Sequence, residues 1–222
     1  MNMPWYPYQE SEHRNEMALN ATLCQDVLLK RSDVLVFEDA PTVLDIATLG
    51  PTGTSSQYAA QKFIDYSTKN HKCSITLYDS YEEANDFVLS GQCNALLVAN
   101  AYKGVDKFYT SKKLKLFSAF KLNTPSYGIA TKRDIEEIPE KSLINLHSHH
   151  ATFGLIPYFL TNKPLTKLKV VEHKSTSLAA IAARYDESFC IANAIAISKY
   201  GLHFVSKTRS ITMLWSVFLF NK

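Results

Sequence analysis

The sequence predicts an α/β fold divided into two lobes. From about Leu44 onward, short apolar strands alternate with amphipathic helices, and the same alternation resumes after Tyr127. Alternating strands and helices predict parallel sheets that are covered by helices on both faces. The chain has 222 residues, which is enough for one large domain or for two small lobes with an apolar core.

Apolar runs next to turn residues define the elements in order along the chain. In the first half, strands are expected near 45–49, 74–78, 95–98 and 113–122, and helices near 56–69 and 80–90. In the second half, strands are expected near 126–131, 142–146, 168–172, 189–192, 203–211 and 213–220. Helices are expected there near 151–160, 177–185 and 194–200. Pro157 should kink or shorten the first of these three helices.

The first 42 residues are predicted to form an N-terminal extension. Residues 1–10 contain prolines and three aromatic side chains, and 16–30 has apolar residues at helical spacing. The rest of the chain is predicted to form one lobe from 43–122 with 194–222, and a second lobe from 123–193.

Composition argues against several classes of protein. The formal net charge is only +3, and no basic stripe indicates a nucleic-acid partner. The four cysteines form no CxxC pair and have no histidine at metal-ligand spacing, which predicts reduced thiols, no metal site and a cytoplasmic protein. No secretory signal is expected, and the apolar run 211–220 is about half the length of a membrane-spanning helix, so no membrane partner is expected.

The stretch 46–60 predicts a binding site for a small anion. It contains an apolar strand, a Gly-Pro-Thr-Gly turn at 50–53, three consecutive hydroxyl side chains and a helix. Free backbone N–H groups and the positive end of the helix dipole attract a carboxylate or a phosphate at such a place. Thr54, Ser55 and Ser56 are therefore candidate ligands of a carboxylate, and N-capping of the helix is the simpler alternative.

Polar residues are expected at other strand ends as well. One group is the loop 100–104, and another combines the run 147–150 with the hydroxyl side chains at 175–177. Ligands of α/β folds bind beyond the carboxyl ends of strands. If the lobes present these loops to one cleft, the ligand is a small molecule with an anionic group at each end. Thr176 and Ser177 would then hold a carboxylate, and helix capping explains them equally well.

Four motifs, in the right order, resemble the catalytic domain of prephenate dehydratases. The Gly-Pro-Thr-Gly-Thr run at 50–54, followed by two alanines, resembles their opening motif, and Ser148-His149 resembles their Ser-His-Pro turn. Residues 175–180 are similar to their Thr-Ala-x-Ala-Ala helix start. Residues 191–202 resemble the stretch from Ala-Ile-Ala to Tyr-Gly-Leu near their end, and the whole resemblance covers about 44–220.

Two signature positions depart from the dehydratase pattern. The dehydratase Glu-Asn-Ser box reads Ala99-Asn100-Ala101 here, so its acidic residue and its serine are missing. In the Thr-Arg-Phe motif, Ser216 stands for the threonine and Val217 for the arginine. The departures match a narrower group, the BacA-type prephenate decarboxylases of bacilysin biosynthesis. The stretches that resemble this group are 48–60, 101–104 with 108–109, 123–128, and 210–211 with 213, 215–216 and 218.

The resemblance implies a two-lobed prephenate dehydratase-like fold, of the type II periplasmic-binding-protein kind, without the regulatory ACT domain. It implies prephenate as substrate and neither a metal nor an organic cofactor. The implied reaction removes CO2 from prephenate, adds a proton to the ring and keeps the ring hydroxyl, in the biosynthesis of a bacilysin- or anticapsin-like metabolite. Such an enzyme needs a proton donor near the ring and no effective donor at the hydroxyl.

Four residues are assigned to catalysis on this basis. His149 would donate a proton or bind a carboxylate, because the pKa of histidine lies near neutrality, and ordering of the turn is its alternative. Asn100 would bind the ring hydroxyl or a carboxylate, or else cap a turn. Tyr102, like Tyr109, would contact the ring or donate a proton, or else only pack. Ser216 would take the place of the dehydratase threonine.

Apolar residues of the last strand complete the predicted site. Trp215 is assigned to the substrate ring or the lobe interface, with a core position as its alternative. Trp215, Val217 and Phe218 would form an apolar wall. A carboxylate that leaves water for such a wall is lost as CO2 more readily, because the charge that disappears is no longer solvated. His147 and His150 are assigned structural or solvent-exposed roles.

Two other functions stay open. A monofunctional prephenate dehydratase would give phenylpyruvate, although Ala99, Ala101 and Val217 argue against it. A non-catalytic protein that binds a small dicarboxylate is the third interpretation, because solute receptors share the two-lobed fold. The oligomeric state is open as well, and a homodimer is one option.

Overall fold

The computed structural model describes residues 30, 33–36, 41–67, 72–134, 143–160 and 168–221. Most of the predicted extension lies outside these residues, including the helix expected over 16–30 except for Lys30. Among the described residues, no helix is long and apolar enough to cross a membrane.

Strands and helices alternate along the described residues as the sequence predicts. Those from the start to the crossing at residue 125 are β1 (Val34–Val36), β2 (Val43–Leu49), α1 (Ser55–Ser67), β3 (Lys72–Tyr78), α2 (Tyr81–Leu89), β4 (Ala95–Ala99), α3 (Asp106–Tyr109) and β5 (Leu114–Asn123). The later ones are β6 (Tyr127–Thr131), β7 (Ile144–Ser148), a 3-10 helix (His150–Leu155), α4 (Ile156–Phe159), β8 (Leu168–Glu172), α5 (Thr176–Asp186), β9 (Phe189–Asn193), α6 (Ala194–Lys199), β10 (His203–Phe204) and β11 (Thr212–Phe220).

Proline divides the helix that the sequence predicts over 151–160. The first part is the 3-10 helix, and α4 follows with Pro157 in its first turn. A proline has no N–H to donate and is tolerated where the helix begins, so the expected shortening is confirmed.

The strand predicted over 203–211 is shorter in the structure and stops at Phe204. Ser206 Oγ accepts the N–H of Ile129 at 2.9 Å, so a side chain stands where the ladder would need the next carbonyl. The chain therefore leaves β6 and returns only at Arg209, which forms an isolated bridge with Tyr127.

The described residues fall into two compact units. Unit A contains those of Leu28–Pro125 and Ser210–Lys222, and unit B contains those of Ser126–Arg209. From the sequence, residues 194–222 are predicted to belong to the first lobe. In the structure α6 and β10 belong to unit B, where β10 pairs with β6.

The sheet of unit A has six strands in the order β1-β5-β11-β4-β2-β3. β2 is parallel to β3 and β4, but β11 is antiparallel to both β4 and β5. The expectation of a purely parallel sheet is therefore wrong. The N–H of Thr124 donates to Ile211 O at 2.9 Å, so the returning chain enters where β5 ends and β11 must run back.

The sheet of unit B has five strands in the order β10-β6-β9-β7-β8 and is mixed for a similar reason. β7 is parallel to β8 and β9, whereas β6 is antiparallel to β9. The N–H of Ala194, directly after β9, donates to Ser126 O at 2.8 Å. β6 therefore begins where β9 ends. In each unit, a strand that enters directly from the other unit is reversed.

The short strand β1 lies inside the segment predicted as an extension. It pairs antiparallel with β5, and Val34 lies opposite Phe120. Val34 is buried, while Leu35 and Val36 are largely exposed. Three residues are too few for their periodicity to reveal a strand, so β1 is not predictable from the sequence.

Different helices cover the two faces of the unit A sheet. On one face the Phe63 ring of α1 stacks on Phe120 of β5, with 5.1 Å between ring centroids. On the other face the Phe108 ring of α3 packs near Phe218 of β11, with 6.3 Å between ring centroids. Trp215 lies opposite Phe120 in the β11–β5 register, so Trp215 belongs to the α1 face.

Candidate active site

Two glycines allow the tight turn between β2 and α1. A Cβ on Gly50 would lie 3.1 Å from Leu77 Cβ and 3.3 Å from Tyr78 O, closer than side chains normally approach. Gly53 has a φ angle of 96°, a conformation that favours glycine over other residues. Gly50 and Gly53 are therefore requirements of this turn.

Thr54 caps helix α1. Its Oγ1 accepts the N–H of Gln57 at 3.2 Å and donates to Leu49 O at 2.8 Å, while Gln57 Oε1 accepts the N–H of Gly53 at 2.8 Å. This reciprocal pattern satisfies two backbone donors at the helix start. Because the hydroxyl proton of Thr54 is used inside the turn, its contact with a carboxylate stays a prediction. Ser55 is buried in the first turn of α1, and its predicted role is likewise open.

Ser56 connects α1 to the ends of two other elements through Tyr81. Ser56 Oγ and Tyr81 Oη are 2.8 Å apart, and Tyr81 Oη accepts the N–H of Ala99 at 3.3 Å. All three residues are buried. Tyr81 is absent from the sequence prediction, although its place directly after the helix cap Ser80 was visible in the sequence.

Asn100, Tyr109 and Ser216 form a closed set of hydrogen bonds. Ser216 Oγ donates to Asn100 Oδ1 at 2.8 Å, and Asn100 Nδ2 donates to Tyr109 Oη at 3.1 Å. Tyr109 Oη and Ser216 Oγ are 2.5 Å apart. Ser216 is fully buried, whereas the exposed fraction of Tyr109 is 44%. We call this set the Asn100 ring.

Tyr102 points away from the Asn100 ring. Its hydroxyl donates to Glu82 Oε1 at 2.5 Å, and the same carboxylate oxygen pairs with Lys107. The Tyr102 ring packs against Tyr81 with 4.9 Å between centroids. Burial, with Tyr81 nearby, raises the pKa of the Tyr102 hydroxyl above its ordinary value. The phenol is therefore protonated near neutrality, and its role toward a substrate stays a prediction.

Trp215 and Ser216 lie on opposite faces of the sheet. Successive side chains of a strand alternate, so Ser216 and Phe218 share the α3 face, and Trp215 and Val217 share the α1 face. The apolar wall expected from Trp215, Val217 and Phe218 is therefore wrong. Trp215 is 1% exposed, and its Nε1 has no hydrogen-bond partner among the described residues. Its core alternative agrees with this position.

In unit B, His149 directly follows β7 and caps the 3-10 helix. Its Nδ1 accepts the N–H of Ala151 at 3.3 Å, which leaves the proton of the neutral ring on Nε2. Ser148 Oγ lies 2.7 Å from Thr152 Oγ1, and this hydroxyl donates to His149 O at 2.8 Å. The turn-ordering alternative for His149 is thus present, and its role as proton donor stays a prediction.

Thr176 and Ser177 begin helix α5 but do not cap it. The cap is Ser175, whose Oγ accepts the N–H of Leu178 at 3.2 Å. Ser177 is fully buried, and its Oγ has no partner among the described residues. The N–H of His173 donates to Ser148 O at 2.8 Å, so this helix start and His149 lie at the same edge of the sheet. Their predicted contact with a carboxylate is untested.

His147 is buried and joins two other titratable groups, His173 and Asp186. Its Nε2 lies 2.8 Å from Asp186 Oδ2, and its Nδ1 lies 2.7 Å from His173 Nε2. Burial and the neighbouring His147 lower the pKa of His173. Burial raises the pKa of the Asp186 carboxyl, but hydrogen bonds from Ser188 and His147 outweigh burial and lower it overall. Within the described residues, no group of three His, Cys, Asp or Glu side chains is placed to hold a metal ion.

Comparison with known protein families identifies the family of this chain. A family model described as prephenate dehydratase matches residues 46–211. This chain belongs to the prephenate dehydratase family. A prephenate decarboxylase from Bacillus subtilis is 37% identical over 182 residues, which are 79% of this chain and 86% of the relative. A prephenate decarboxylase from Planktothrix agardhii is 33% identical over 183 residues, or 81% of this chain and 89% of the relative.

A solved structure from the prephenate dehydratase family has a similar fold. The prephenate dehydratase of Arthrobacter aurescens, in complex with L-Phe, aligns with a TM-score of 0.61 at 13% identity. The alignment covers 81% of this chain but 61% of that chain, so this chain spans less than two thirds of that dehydratase. The predicted α/β fold of the prephenate dehydratase kind is confirmed.

The positions that depart from the dehydratase pattern of this family are adjacent in sequence to two members of the Asn100 ring. Ala99 and Ala101 flank Asn100, and Val217 follows Ser216 with its side chain fully buried on the α1 face. From the sequence, Tyr109 is predicted only to share the alternative roles of Tyr102. No local pattern connects Tyr109 to Ser216. The structure thus brings Asn100 together with Ser216 in unit A, and in unit B it places His149 and the start of α5 at the same edge of the sheet.

Proposed function

We propose that this protein is a prephenate decarboxylase that forms a dihydro-4-hydroxyphenylpyruvate and keeps the ring hydroxyl of its substrate. The observation that carries the proposal is the 37% identity with the Bacillus subtilis prephenate decarboxylase over 79% of the chain. The match to the prephenate dehydratase family model over 46–211 supports a prephenate-binding fold.

The competing reactions of prephenate differ in where one proton goes. In both, the bond from the ring to its carboxylate breaks, and CO2 leaves without the bonding electron pair. In the decarboxylase reaction this pair moves through a ring double bond, and a ring carbon takes up one proton. In the dehydratase reaction the pair expels the hydroxyl, which takes the proton and leaves as water. The enzyme selects its product by where it offers a proton.

Three positions of unit A favour the product that retains its hydroxyl. Alanines stand at 99 and 101, where dehydratases have an acidic residue and a serine. At the position of the dehydratase arginine, Val217 is fully buried. Three polar or charged side chains of the dehydratase motifs are therefore replaced by groups that donate no proton.

We assign roles to side chains in each unit separately. In unit A, Thr54, Ser55 and Ser56 at the start of α1 contact a carboxylate, and Asn100 and Ser216 lie near the ring hydroxyl. Tyr102 contacts the substrate ring or donates a proton to it. In unit B, Thr176 and Ser177 contact a carboxylate, and His149 supplies the proton. Trp215 supports this site from the α1 face of the sheet.

We further propose a setting for this reaction. The enzyme acts on its small-molecule substrate in the cytoplasm, as a homodimer. It has no nucleic-acid or membrane partner. Its product enters the biosynthesis of a bacilysin-like peptide natural product. Neighbouring genes for an isomerase, reductases, an aminotransferase and a peptide ligase would support that setting, and size-exclusion chromatography with light scattering tests the dimer.

Incubation of the purified protein with prephenate at neutral pH tests the proposed reaction. CO2 release is measured together with the ultraviolet spectrum and the masses of the products, against a heat-denatured sample. We expect loss of CO2 alone, without an aromatic spectrum. Phenylpyruvate would identify a dehydratase instead. Binding of prephenate without turnover would identify a dicarboxylate-binding protein.

A further inference from the structure

We propose that the Asn100 ring withholds the Ser216 proton from the substrate. The hydroxyl on the six-membered ring of prephenate is therefore retained. In this proposal Asn100 and Tyr109 are positioning residues that act through Ser216. The inference rests on the proposed prephenate decarboxylase function and identifies what controls its product.

Counting donors fixes the direction of the hydrogen bonds in the ring. Ser216 has one hydroxyl proton, and it is donated to Asn100 Oδ1. Ser216 Oγ must therefore accept the proton of Tyr109 Oη across their 2.5 Å contact. Tyr109 Oη in turn accepts from Asn100 Nδ2. Each hydroxyl donates once within the ring, and neither has a proton left for a substrate.

The scaffold holds the members of the ring in place. Ser216 lies on β11 between β4 and β5, with its side chain fully buried. The N–H of Asn100 donates to Leu214 O at 2.9 Å, which fixes the loop after β4 to the start of β11. The Tyr109 ring packs edge-on against Phe218, with 4.9 Å between centroids. Reorientation of the Ser216 hydroxyl would therefore break a bond in a rigid, buried place.

The chemistry explains why such a restraint is needed. Loss of the hydroxyl makes the substrate ring aromatic, so this outcome is strongly favoured once a proton donor reaches the oxygen. Ser216 stands at the position of the dehydratase threonine and could supply that proton. An amide acceptor that holds the Ser216 proton removes this route, while a proton from another donor can still reach a ring carbon.

Asn100→Ala tests the proposal, because it frees the Ser216 hydroxyl. We expect the ratio of phenylpyruvate to the product with a retained hydroxyl to rise at least about fivefold over wild type, as for loss of one hydrogen bond. The double variant Asn100→Ala/Ser216→Ala should return this ratio to the wild-type value, since the proton that expels the hydroxyl is then missing.

Two further variants separate positioning from general disruption. Asn100→Asp keeps an acceptor for Ser216, so it should keep the wild-type ratio even if turnover slows. Asn94→Ala is the matched control, because Asn94 makes bonds at the other end of β4, to the N–H of Asp45 at 2.8 Å and to Val43 O at 2.7 Å. It should destabilise the fold without changing the ratio.

The proposal is overturned if folded Asn100→Ala keeps the wild-type ratio, or if phenylpyruvate persists in the double variant. Complete loss of CO2 release in folded Asn100→Ala would also overturn it, because holding the Ser216 proton is not required for that step. If Asn100→Ala does not fold, Asn100→Leu decides, because leucine keeps most of the side-chain volume but has no acceptor for the Ser216 proton. The same rise in the ratio is expected, and no rise would contradict the proposal. Wild-type protein that releases no CO2 would instead refute the proposed function.

Discussion

The carboxyl edges of the two sheets differ in their chemistry. In unit A the Asn100 ring consists of two hydroxyls and an amide, and Ser56 pairs with Tyr81 nearby. In unit B the corresponding edge has histidines beside carboxylates. All the histidines that the structure describes lie in that unit, at positions 147, 149, 150, 173 and 203.

This difference suggests a division of tasks. Neutral groups that saturate one another hold protons in fixed places, which suits the choice between two products. Histidines change their protonation near neutral pH, which suits the supply of a proton and makes stability depend on pH. Variants in unit A should therefore change the product ratio or packing, and variants in unit B should change the rate or the pH profile.

The largest effect is expected in the core of unit A. Trp215→Ala should lower the free energy of unfolding by about 3–5 kcal/mol, because a fully buried indole leaves a cavity. Trp215→Phe should cost about 1–2 kcal/mol, since most of the ring volume remains and an unpaired N–H is removed. Urea denaturation measures both. A changed product ratio in Trp215→Phe would contradict the assignment of this side chain to the α1 face.

The next largest effect is expected at the edge of unit B. His149→Gln should lower kcat/KM for prephenate by about 100-fold or more, as for loss of a general acid. His150→Gln is the matched control, because this neighbouring ring pairs with Glu172 at 3.3 Å, and its kcat/KM should stay within about threefold of wild type. Equal losses in both variants would mean that the loop is only structural.

The two helix starts offer a paired test of capping against binding. Thr54→Ala and Ser175→Ala should each lower the free energy of unfolding by about 1 kcal/mol, because each side chain accepts a backbone N–H at a helix start. Ser177→Ala should leave stability unchanged or slightly raised, because its buried Oγ has no partner among the described residues. A higher KM for prephenate in Ser177→Ala, at unchanged stability, would support its predicted contact with the substrate.

Local patterns were enough to predict most elements of the fold. The strand expected over 168–172 appears with those bounds, and α5 begins where the run of hydroxyl side chains placed it. Periodicity and capping act over a few residues, so a sequence displays them directly. The reversal of β6 and β11 escaped prediction, because it follows from where the chain crosses between units and not from any local pattern.

The candidate site was predictable in part for the same reason. Asn100 and Ser216 were each assigned to the site, but the bond between them joins residues that are 116 positions apart. Tyr109 enters the ring only because α3 packs on the face that Ser216 shares with Phe218. Motifs indicated which residues matter, whereas strand register and alternation determined that Ser216 and Trp215 have different surroundings.

A modest pH effect is expected from unit B. The pKa of His173 is lowered from 6.5 by burial and by His147, so its neutral form is favoured in the folded state. As the pH falls below 6.5, the unfolded chain takes up this proton first, and stability decreases. The lowered pKa of Asp186 acts in the same direction, at pH values below its ordinary 3.8.

Thermal unfolding of wild type and His173→Gln between pH 7.5 and 5 measures this effect. The decrease in Tm over that range should be smaller in the variant by about 1–3 °C. His203→Gln serves as a control, because His203 does not belong to the hydrogen-bonded group of His147, His173 and Asp186. Identical pH profiles for wild type and His173→Gln would show that the pair of imidazoles does not couple protonation to folding.

The smallest effect is expected from the residues that follow two comparable helices. After α2 of unit A, Gly91 has a φ angle of 80°, and after α5 of unit B the non-glycine residue Glu187 has a φ angle of 55°. A Cβ on Gly91 would meet no atom within 4 Å, so Gly91→Ala should lose about 1 kcal/mol through backbone conformation alone. Glu187→Gly should do the opposite and raise Tm by about 1–2 °C, because relief of the left-handed conformation outweighs loss of an exposed ion pair with Lys132. Thermal unfolding in low and high salt separates these two contributions. If Glu187→Gly lowers Tm at both salt concentrations, the end of α5 depends on this side chain in a way that its backbone angle and its ion pair do not explain.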